Sequence, residues 1–202
     1  MQDKKGLDRY TELIWRPFFE DIFTCVVGKK ILDAGCGNAR YTSQLVDCND
    51  YHGLDKKVTP FVTEVGDAEN MPYADGCFEE VIALGLLDYS NPHKTLSEIN
   101  RVLEMGGTLN IMVPNLYNPY HWVSMLFGVR GKARYSRGEL EAHLINHGFV
   151  IHDTVVGGFS FYIPGKRLQE AFIPLWIFLD KYLGSSMGMN IFMEAEKIEN
   201  IQ

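Results

Sequence analysis

The chain has 202 residues, of which 46% are hydrophobic and 22% charged, with a net charge of −7 at pH 7. These values are typical of one soluble globular domain, and the acidic balance argues against general binding to nucleic acid, which needs a basic face. The four cysteines (Cys25, Cys36, Cys48 and Cys77) show no paired spacing, so neither a zinc site nor a disulfide framework is predicted and a reducing, cytoplasmic compartment is expected.

Neither a signal peptide nor a membrane-spanning segment is predicted. Met1–Tyr10 is mostly polar, with no apolar stretch behind it. The most apolar window, Ala171–Leu179, is too short to cross a bilayer and contains Pro174. We therefore expect a soluble protein, which can still touch a membrane surface.

The first third of the chain predicts one or two helices followed by the first strands. Apolar and aromatic residues recur at helical spacing over Leu7–Phe23, where Pro17 is expected to break the helix. Three strands and one helix are then predicted, in the order strand Lys30–Ala34, helix Tyr41–Val46, strand Tyr51–Leu54 and strand Phe61–Val65.

The middle of the chain predicts the interior of a sheet. Val81–Leu84 is an apolar run typical of a buried strand, and helix Pro92–Leu103 follows, ended by Met105-Gly106-Gly107 before strand Thr108–Val113. Strands that alternate with helices indicate an α/β fold with a mostly parallel sheet and helices on both faces. Ligands of such folds bind beyond the carboxyl ends of the strands.

The last third predicts two helices and two strands. Ser136–His147 is expected to be a helix in which Ser136 and Glu139 form a capping box. Strand Phe149–Val156, a helix from Arg167 onward and a last strand at Met189–Ala195 complete the predicted elements.

The stretch Ile31–Ala39 is chemically the most informative. Gly35 and Gly37 follow a predicted strand at alternating positions, where they allow a tight turn and a close approach of the backbone to a ligand. Backbone amides at the start of a following helix would face the same ligand. Such a turn also occurs in dinucleotide enzymes, so it does not by itself identify the ligand.

Two acidic residues after this turn narrow the range of ligands that the site could bind. Asp55 closes the second strand, where a carboxylate accepts hydrogen bonds from both hydroxyls of a ribose. Asp67 closes the third strand, where it is placed to hydrogen-bond an adenine amino group. No lysine-serine pair follows the glycines, which excludes a P-loop.

The sequence resembles the class I S-adenosylmethionine-dependent methyltransferases, in their small-molecule branch similar to methyltransferase type 11. Leu32–Gly37 looks like the first motif of that superfamily, and Gly66–Tyr73 with Phe78–Ile82 resembles its adenine-binding segment and fourth strand. Arg101–Leu109 and Tyr135–Phe149 are similar to later segments. The motifs occur in order and cover roughly residues 29–157, although Ala39 stands where the first motif usually has its last glycine.

The resemblance implies a Rossmann-like, open twisted sheet of seven strands with an antiparallel last strand, and S-adenosylmethionine as cofactor, with S-adenosylhomocysteine as product. Within one domain (1–202), it implies an N-terminal helical cap (1–28), a cofactor-binding half (29–115) and an acceptor-binding half with a lid (116–202). The residues implied to bind the cofactor are Asp33, Ala34, Gly35, Cys36, Gly37, Asp55, Lys56, Asp67, Ala68, Gly85 and Leu86.

Each of these residues has an implied role. The glycine turn, with Asp33, would hold the methionine part; Asp55 would bind the ribose; and Lys56, Asp67 and Ala68 would surround the adenine. Gly85 and Leu86 would lie near the sulfonium. Tyr10 either closes over the cofactor or packs in the first helix.

Methyl transfer to a phenol or hydroxyl needs a base, whereas other acceptors need mainly alignment. The sequence marks no residue as that base. His121 is the first candidate for a catalytic residue and Tyr89 the second, with Asp88 and His93 as further candidates. The alternative for His121 is a histidine that packs in a lid. His143 and His147 have metal-ligand spacing on a helix but no evident third ligand, so no metal site is predicted.

A small acceptor that is apolar, aromatic or lipid-like is expected from two aromatic stretches, which could equally be core. Their members are Tyr117, Tyr120, Trp122, Phe127, Phe159, Phe161, Tyr162 and Trp176. The segment Phe159–Leu183, with Lys166 and Arg167, is a candidate for peripheral membrane contact. A basic run at Arg130, Lys132, Arg134 and Arg137 is either a solvated loop or a grip for an anionic substrate.

Two other classes of protein stay open. A non-catalytic module that binds cofactor or a partner would not require the full set of glycines and acids. A nicotinamide-dependent oxidoreductase would not require Asp67, and no Tyr-Lys catalytic pair is evident. No nucleic-acid partner is expected, and the oligomeric state is not predicted.

Overall fold

The computed structural model describes residues 13, 15–23, 26–126, 134–158 and 166–199. Within these ranges the strands form one seven-stranded sheet in the order β3-β2-β1-β4-β5-β7-β6. The strands are β1 (Lys30–Ala34), β2 (Asp50–Asp55), β3 (Glu64–Val65), β4 (Phe78–Leu84), β5 (Leu103–Pro114), β6 (Phe149–Gly157) and β7 (Asn190–Lys197). Strands β1 to β5 pair in parallel, and β7 runs antiparallel to both β5 and β6. The predicted fold class is confirmed.

Helices cover both faces of this sheet. They are α1 (residues 15–23), α2 (Pro92–Val102), α3 (Pro119–Leu126), α4 (Arg137–Asn146), α5 (Lys166–Ala171) and α6 (Ile173–Met187). No helix in the described part of the chain combines the length and the apolar character needed to cross a membrane.

Alternation along each strand divides the core into two layers. Ile31 packs with buried aromatic residues of α1, whereas its neighbour Leu32 packs with buried residues of α2 and α4. Because successive side chains of a strand point to opposite faces, the same division recurs in β7, where Phe192 joins the first layer and Met193 the second.

The predicted N-cap of α4 is confirmed. The Glu139 N–H donates to Ser136 Oγ (3.3 Å), and the Ser136 N–H donates to Glu139 Oε2 (2.8 Å), which completes a capping box. Helix α2 begins in a similar way, because the Asn91 side chain accepts a hydrogen bond from the Lys94 N–H.

Three elements in the N-terminal half differ from the prediction made from local sequence patterns. Pro17 lies within α1 and does not break it, since burial of Trp15, Phe19 and Phe23 holds the helix against the sheet. The expected helix Tyr41–Val46 is only a 3₁₀ turn at Ser43–Leu45. The third strand is shorter than expected, at Glu64–Val65.

The end of α2 also differs from the prediction. Leu103 is already extended (φ −77°, ψ 136°) and pairs with Phe78, so β5 begins directly after the helix. Gly106 has a φ of +77° where the register of β4 against β5 shifts. The two glycines therefore mark an irregularity inside a strand and do not terminate the helix.

Candidate functional site

A cavity of about 390 Å³ opens at the carboxyl ends of the first four strands. Its lining includes Gly35 after β1, Asp55 at the end of β2, Gly66 after β3 and Gly85 after β4. Since β1 pairs with β2 on one side and with β4 on the other, the cavity lies where the strand order reverses. Ligands of open α/β sheets bind at such switch points.

Eight of the eleven residues predicted to bind the cofactor line this cavity. They are Gly35, Gly37, Asp55, Lys56, Asp67, Ala68, Gly85 and Leu86. The structure thus brings together residues from four separate loops, whereas their roles toward a cofactor stay predictions.

The glycine turn takes up conformations that favour glycine. Gly35 and Gly37 have φ values of +74° and +52°. A Cβ on Gly35 would lie 2.9 Å from Leu86 Cδ1, whereas a Cβ on Gly37 would meet no atom within 4 Å. Gly37 therefore leaves open space beside the backbone, as a ligand cradle requires. Ala39, in place of the usual glycine, also has a positive φ of 46°.

Asp55 ties this turn to the end of β2. The Gly37 N–H donates to Asp55 Oδ2 (3.0 Å), and the Lys57 N–H donates to Asp55 Oδ1 (2.8 Å). Each carboxylate oxygen accepts one of these bonds and retains capacity for another donor. The side chain is thus held in one orientation at the cavity wall, where two hydroxyl donors of a ligand fit.

Asp67 and Lys56 form an ion pair at the same cavity. Lys56 Nζ lies 3.0 Å from Asp67 Oδ2, and the Glu69 N–H donates to Asp67 Oδ1 (3.0 Å). The hydrogen bond from Glu69 and the one from Lys56 hold the pKa of Asp67 below its ordinary value. Asp67 is therefore an ionised acceptor of hydrogen bonds at neutral pH.

Asp33 lies behind the turn in a buried network. Its Oδ2 accepts hydrogen bonds from Thr42 Oγ1 (2.5 Å) and the Tyr51 hydroxyl (2.8 Å). Burial raises the pKa of Asp33 to about 6, against the opposing effect of these two bonds. Asp33 does not line the 390 Å³ cavity but a neighbouring one of about 220 Å³, which shares Gly35 with it.

Ala34 and Cys36, the other predicted cofactor residues, also lie off the main cavity. Ala34 is fully buried in the core. Cys36 lines the smaller cavity, and burial raises the pKa of its thiol to about 12. The thiol is therefore neutral and unreactive at neutral pH.

Thr42, Tyr51 and Thr59 belong to the site but were not predicted. The Thr59 hydroxyl donates to the Gly37 carbonyl, and Thr59 lines the main cavity. For Tyr51 a signal existed, because strand alternation puts it on the same face of β2 as Asp55. For the two threonines no local pattern would have distinguished them.

The candidate bases are separated in the structure. Tyr89 lines the main cavity and is 66% exposed, and Asp88 precedes it. His121 falls in α3. His93 lies in α2 and is not among the residues that line the cavity.

His93 instead meets the two histidines of α4. Its ring centroid lies 4.9 Å from that of His143 and 5.4 Å from that of His147. Among the described residues, no three His, Cys, Asp or Glu side chains are arranged to hold a metal ion. Burial and the two neighbouring imidazoles lower the pKa of His143.

The aromatic stretches divide between core and surface. Trp176 is buried and Tyr120 packs against its cluster, whereas Tyr117 and Trp122 are exposed and line an apolar groove with Met187. Of the basic run, Arg137 pairs with Glu141 and Arg134 is half-buried. Outside the described residues lie Tyr10, Phe127, Arg130, Lys132, Phe159, Phe161 and Tyr162.

Comparisons with known proteins agree with this arrangement. Residues 32–111 match the family model described as "Methyltransferase domain". The chain is 32% identical over 127 residues to the demethylmenaquinone methyltransferase of Paenarthrobacter aurescens, a match that covers 52% of this chain and 50% of that protein.

Solved structures share the fold. The geranyl diphosphate C-methyltransferase of Streptomyces coelicolor superposes with a TM-score of 0.66 at 18% identity, covering 97% of this chain and 84% of that one. An S-adenosylmethionine-dependent methyltransferase of Mesorhizobium loti superposes with a TM-score of 0.64 at 17% identity, and the match covers 95% of this chain and 100% of that one. The chain spans about half the length of the curated relatives that it matches.

Proposed function

We propose that this chain, which carries a methyltransferase domain of the class I S-adenosylmethionine-dependent superfamily, transfers the methyl group of S-adenosylmethionine to a small, lipid-like acceptor. The observation that carries the proposal is the convergence of Gly37, Asp55 and Asp67 on one cavity at the switch point of the sheet. This convergence also argues against a partner-binding module that has no cofactor.

The cavity fits the chemical groups of the cofactor. Asp55 offers two oriented carboxylate oxygens to the ribose hydroxyls, and Asp67 with Lys56 offers an acceptor and a donor to the adenine edge. The open side of Gly37 admits the chain that joins ribose to methionine. Asp33, in the adjoining cavity that shares Gly35 with the main one, is the acidic group that would receive the cationic amino group.

S-adenosylmethionine supplies an activated methyl group, so the protein has mainly to align the acceptor behind it and exclude water. Gly85 and Leu86 at the end of β4 form the wall where that alignment takes place. If the acceptor is a phenol or hydroxyl, it needs a base. Tyr89, which lines the cavity, is one candidate for that base, and His121 in α3 is another.

A lipid-like acceptor is supported by two observations. The groove between α3 and the end of α6 is lined by apolar surface of Tyr117, Trp122 and Met187. Moreover, the relative from Paenarthrobacter aurescens is named for demethylmenaquinone, a lipid-like acceptor.

The test measures cofactor binding first and transfer second. Calorimetric titration is expected to give binding of S-adenosylmethionine and S-adenosylhomocysteine but not of NADH or NADPH. Radiolabelled methyl transfer is then measured to demethylmenaquinone and to a water-soluble phenol. Binding of a nicotinamide cofactor alone would overturn the proposal, and binding without transfer to any acceptor would favour the non-catalytic module.

A further inference from the structure

We propose that the outer face of α5 and α6 docks on the surface of an anionic lipid bilayer. The face consists of Leu168, Phe172, Leu175, Phe178 and Tyr182, here called the apolar stripe. Phe172, Leu175, Phe178 and Tyr182 follow one another at spacings of three and four along α6 and its N-cap, so they lie along one side of that helix. Leu168 is an exposed residue of the preceding helix α5.

The apolar stripe faces solvent. Leu168, Phe178 and Tyr182 are 52%, 55% and 69% exposed, and Leu175 is 46% exposed. The opposite side of α6 packs on the body of the protein through Ile173, Trp176 and Gly184, which are buried. Helix α6 is thus apolar on both sides, whereas the outer side of an ordinary surface helix is polar.

The few charges in this region suit an anionic surface. Over Lys166–Met187 the basic residues Lys166, Arg167 and Lys181 outnumber the acidic residues Glu170 and Asp180, although the chain as a whole carries −7. A Cβ on buried Gly184 would lie within 2.9 Å of the Asp180 carboxyl carbon. Asp180 therefore points along the inner side of α6, away from the apolar stripe, and Lys181 is exposed.

The apolar stripe leads to the groove described above. Ser186, one turn beyond Tyr182, lines that groove together with Trp122, which is 61% exposed. Tryptophan and tyrosine are the residues that favour the boundary between headgroups and acyl chains. A bilayer as the occupant thus explains an apolar face, aromatic residues at one end and a local excess of basic residues.

This inference rests on the proposed function only for the source of the acceptor: a lipid-like molecule would reach the groove from the bilayer without crossing water. Docking itself is independent of methyl transfer. It is therefore tested on the full chain without any acceptor.

The experiment is flotation with phosphatidylcholine vesicles, with and without about a third of phosphatidylserine. The wild-type chain is expected to float with the anionic vesicles. Phe178→Asp should weaken that binding about tenfold or more, because it places a charge on the apolar face that the bilayer would bury. Lys181→Glu should weaken binding to anionic vesicles by about fivefold or more, and binding to neutral ones little.

Ile145→Asp is the matched control, since Ile145 is an exposed apolar residue of α4 outside the apolar stripe; it should float like the wild type. Circular dichroism and S-adenosylmethionine titration of each variant separate loss of docking from loss of fold. Absence of flotation, or flotation unchanged by Phe178→Asp, would overturn the inference. So would a dimer in sedimentation that Phe178→Asp converts to monomer, which would assign the face to a second copy of the chain. Docking without cofactor binding would leave this inference intact and overturn the proposed function.

Discussion

The backbone N–H of Gly37 donates a hydrogen bond to Asp55 Oδ2 across 3.0 Å. This bond connects the turn after β1 with the end of β2, the two segments that hold the methionine and ribose parts of S-adenosylmethionine in the proposed site. The loop and the carboxylate thus fix each other before a ligand arrives, which reduces the ordering that binding requires.

Replacing Asp55 should weaken cofactor binding strongly. Asp55→Ala removes a charged acceptor, and hydrogen bonds to charged groups contribute about 1.5–3 kcal/mol each, so we expect a loss in affinity of at least about tenfold. Asp55→Asn keeps one acceptor oxygen and should lose less. Titration calorimetry with S-adenosylhomocysteine measures both, and Asp50→Asn at the start of the same strand serves as control. Affinity of the alanine variant equal to that of the wild type would remove Asp55 from the site.

Filling the open side of Gly37 should impair binding more than folding. Gly37→Ala adds a methyl group that meets no protein atom within 4 Å but projects where the ligand is proposed to lie. Gly28→Ala is a matched control, because Gly28 also has a positive φ (+74°), meets no atom within 4 Å and is absent from the cavity lining. Each variant should lose about 1 kcal/mol in urea unfolding from backbone strain, whereas only Gly37→Ala should lose affinity. Equal affinities would place the ligand elsewhere.

Asp33 should make the free energy of unfolding depend on pH. Its pKa in the folded protein is raised from 3.8 to about 6, mainly by burial, so its contribution is fully present below pH 3.8 and is lost as the pH rises through about 6. Asp33→Asn lacks this loss, and its stability relative to the wild type should rise between pH 4 and 7, by at most about 3 kcal/mol. Urea unfolding across that interval measures the difference. A difference that stays constant with pH would show that Asp33 does not titrate in this way.

The cluster of His93, His143 and His147 should make the free energy of unfolding change with pH in the opposite direction. Burial, His93 and His147 lower the pKa of His143 below 6.5, with Glu139 partly opposing them. Stability from the neutral imidazole is therefore present above pH 6.5 and lost as the pH falls through the lowered pKa. His143→Gln should lose less stability than the wild type between pH 7.5 and 5, as urea unfolding across that interval would measure. Parallel curves for the two proteins would contradict the assignment.

The sequence predicted those features that depend on neighbours along the chain. The strand Lys30–Ala34 and the cap at Ser136 are confirmed because apolar patterning and capping chemistry act within a few residues. Asp55 and Gly35 were brought to one cavity by the alternation of strands and helices, which fixes the edge of the sheet where they meet.

Features that depend on distant contacts were missed. Thr59 reaches the Gly37 carbonyl through the fold of its loop, and His93 meets His143 only because α2 and α4 cover the same face of the sheet. Gly106 was misread as a helix stop, because a glycine alone does not distinguish the end of a helix from an irregular strand.

The placement of β7 between β5 and β6 has a consequence for folding order. Among the strands that the structure describes, β6 (Phe149–Gly157) pairs with β7 and with no earlier strand, so during synthesis it lacks this partner until Asn190–Lys197 has left the ribosome. The parallel strands β1 to β5 can assemble meanwhile, with β5 as a temporary edge. Completion of the sheet is thus a late and long-range event, and a nascent chain halted before β7 would expose the open edge of β5 to aggregation and to chaperones.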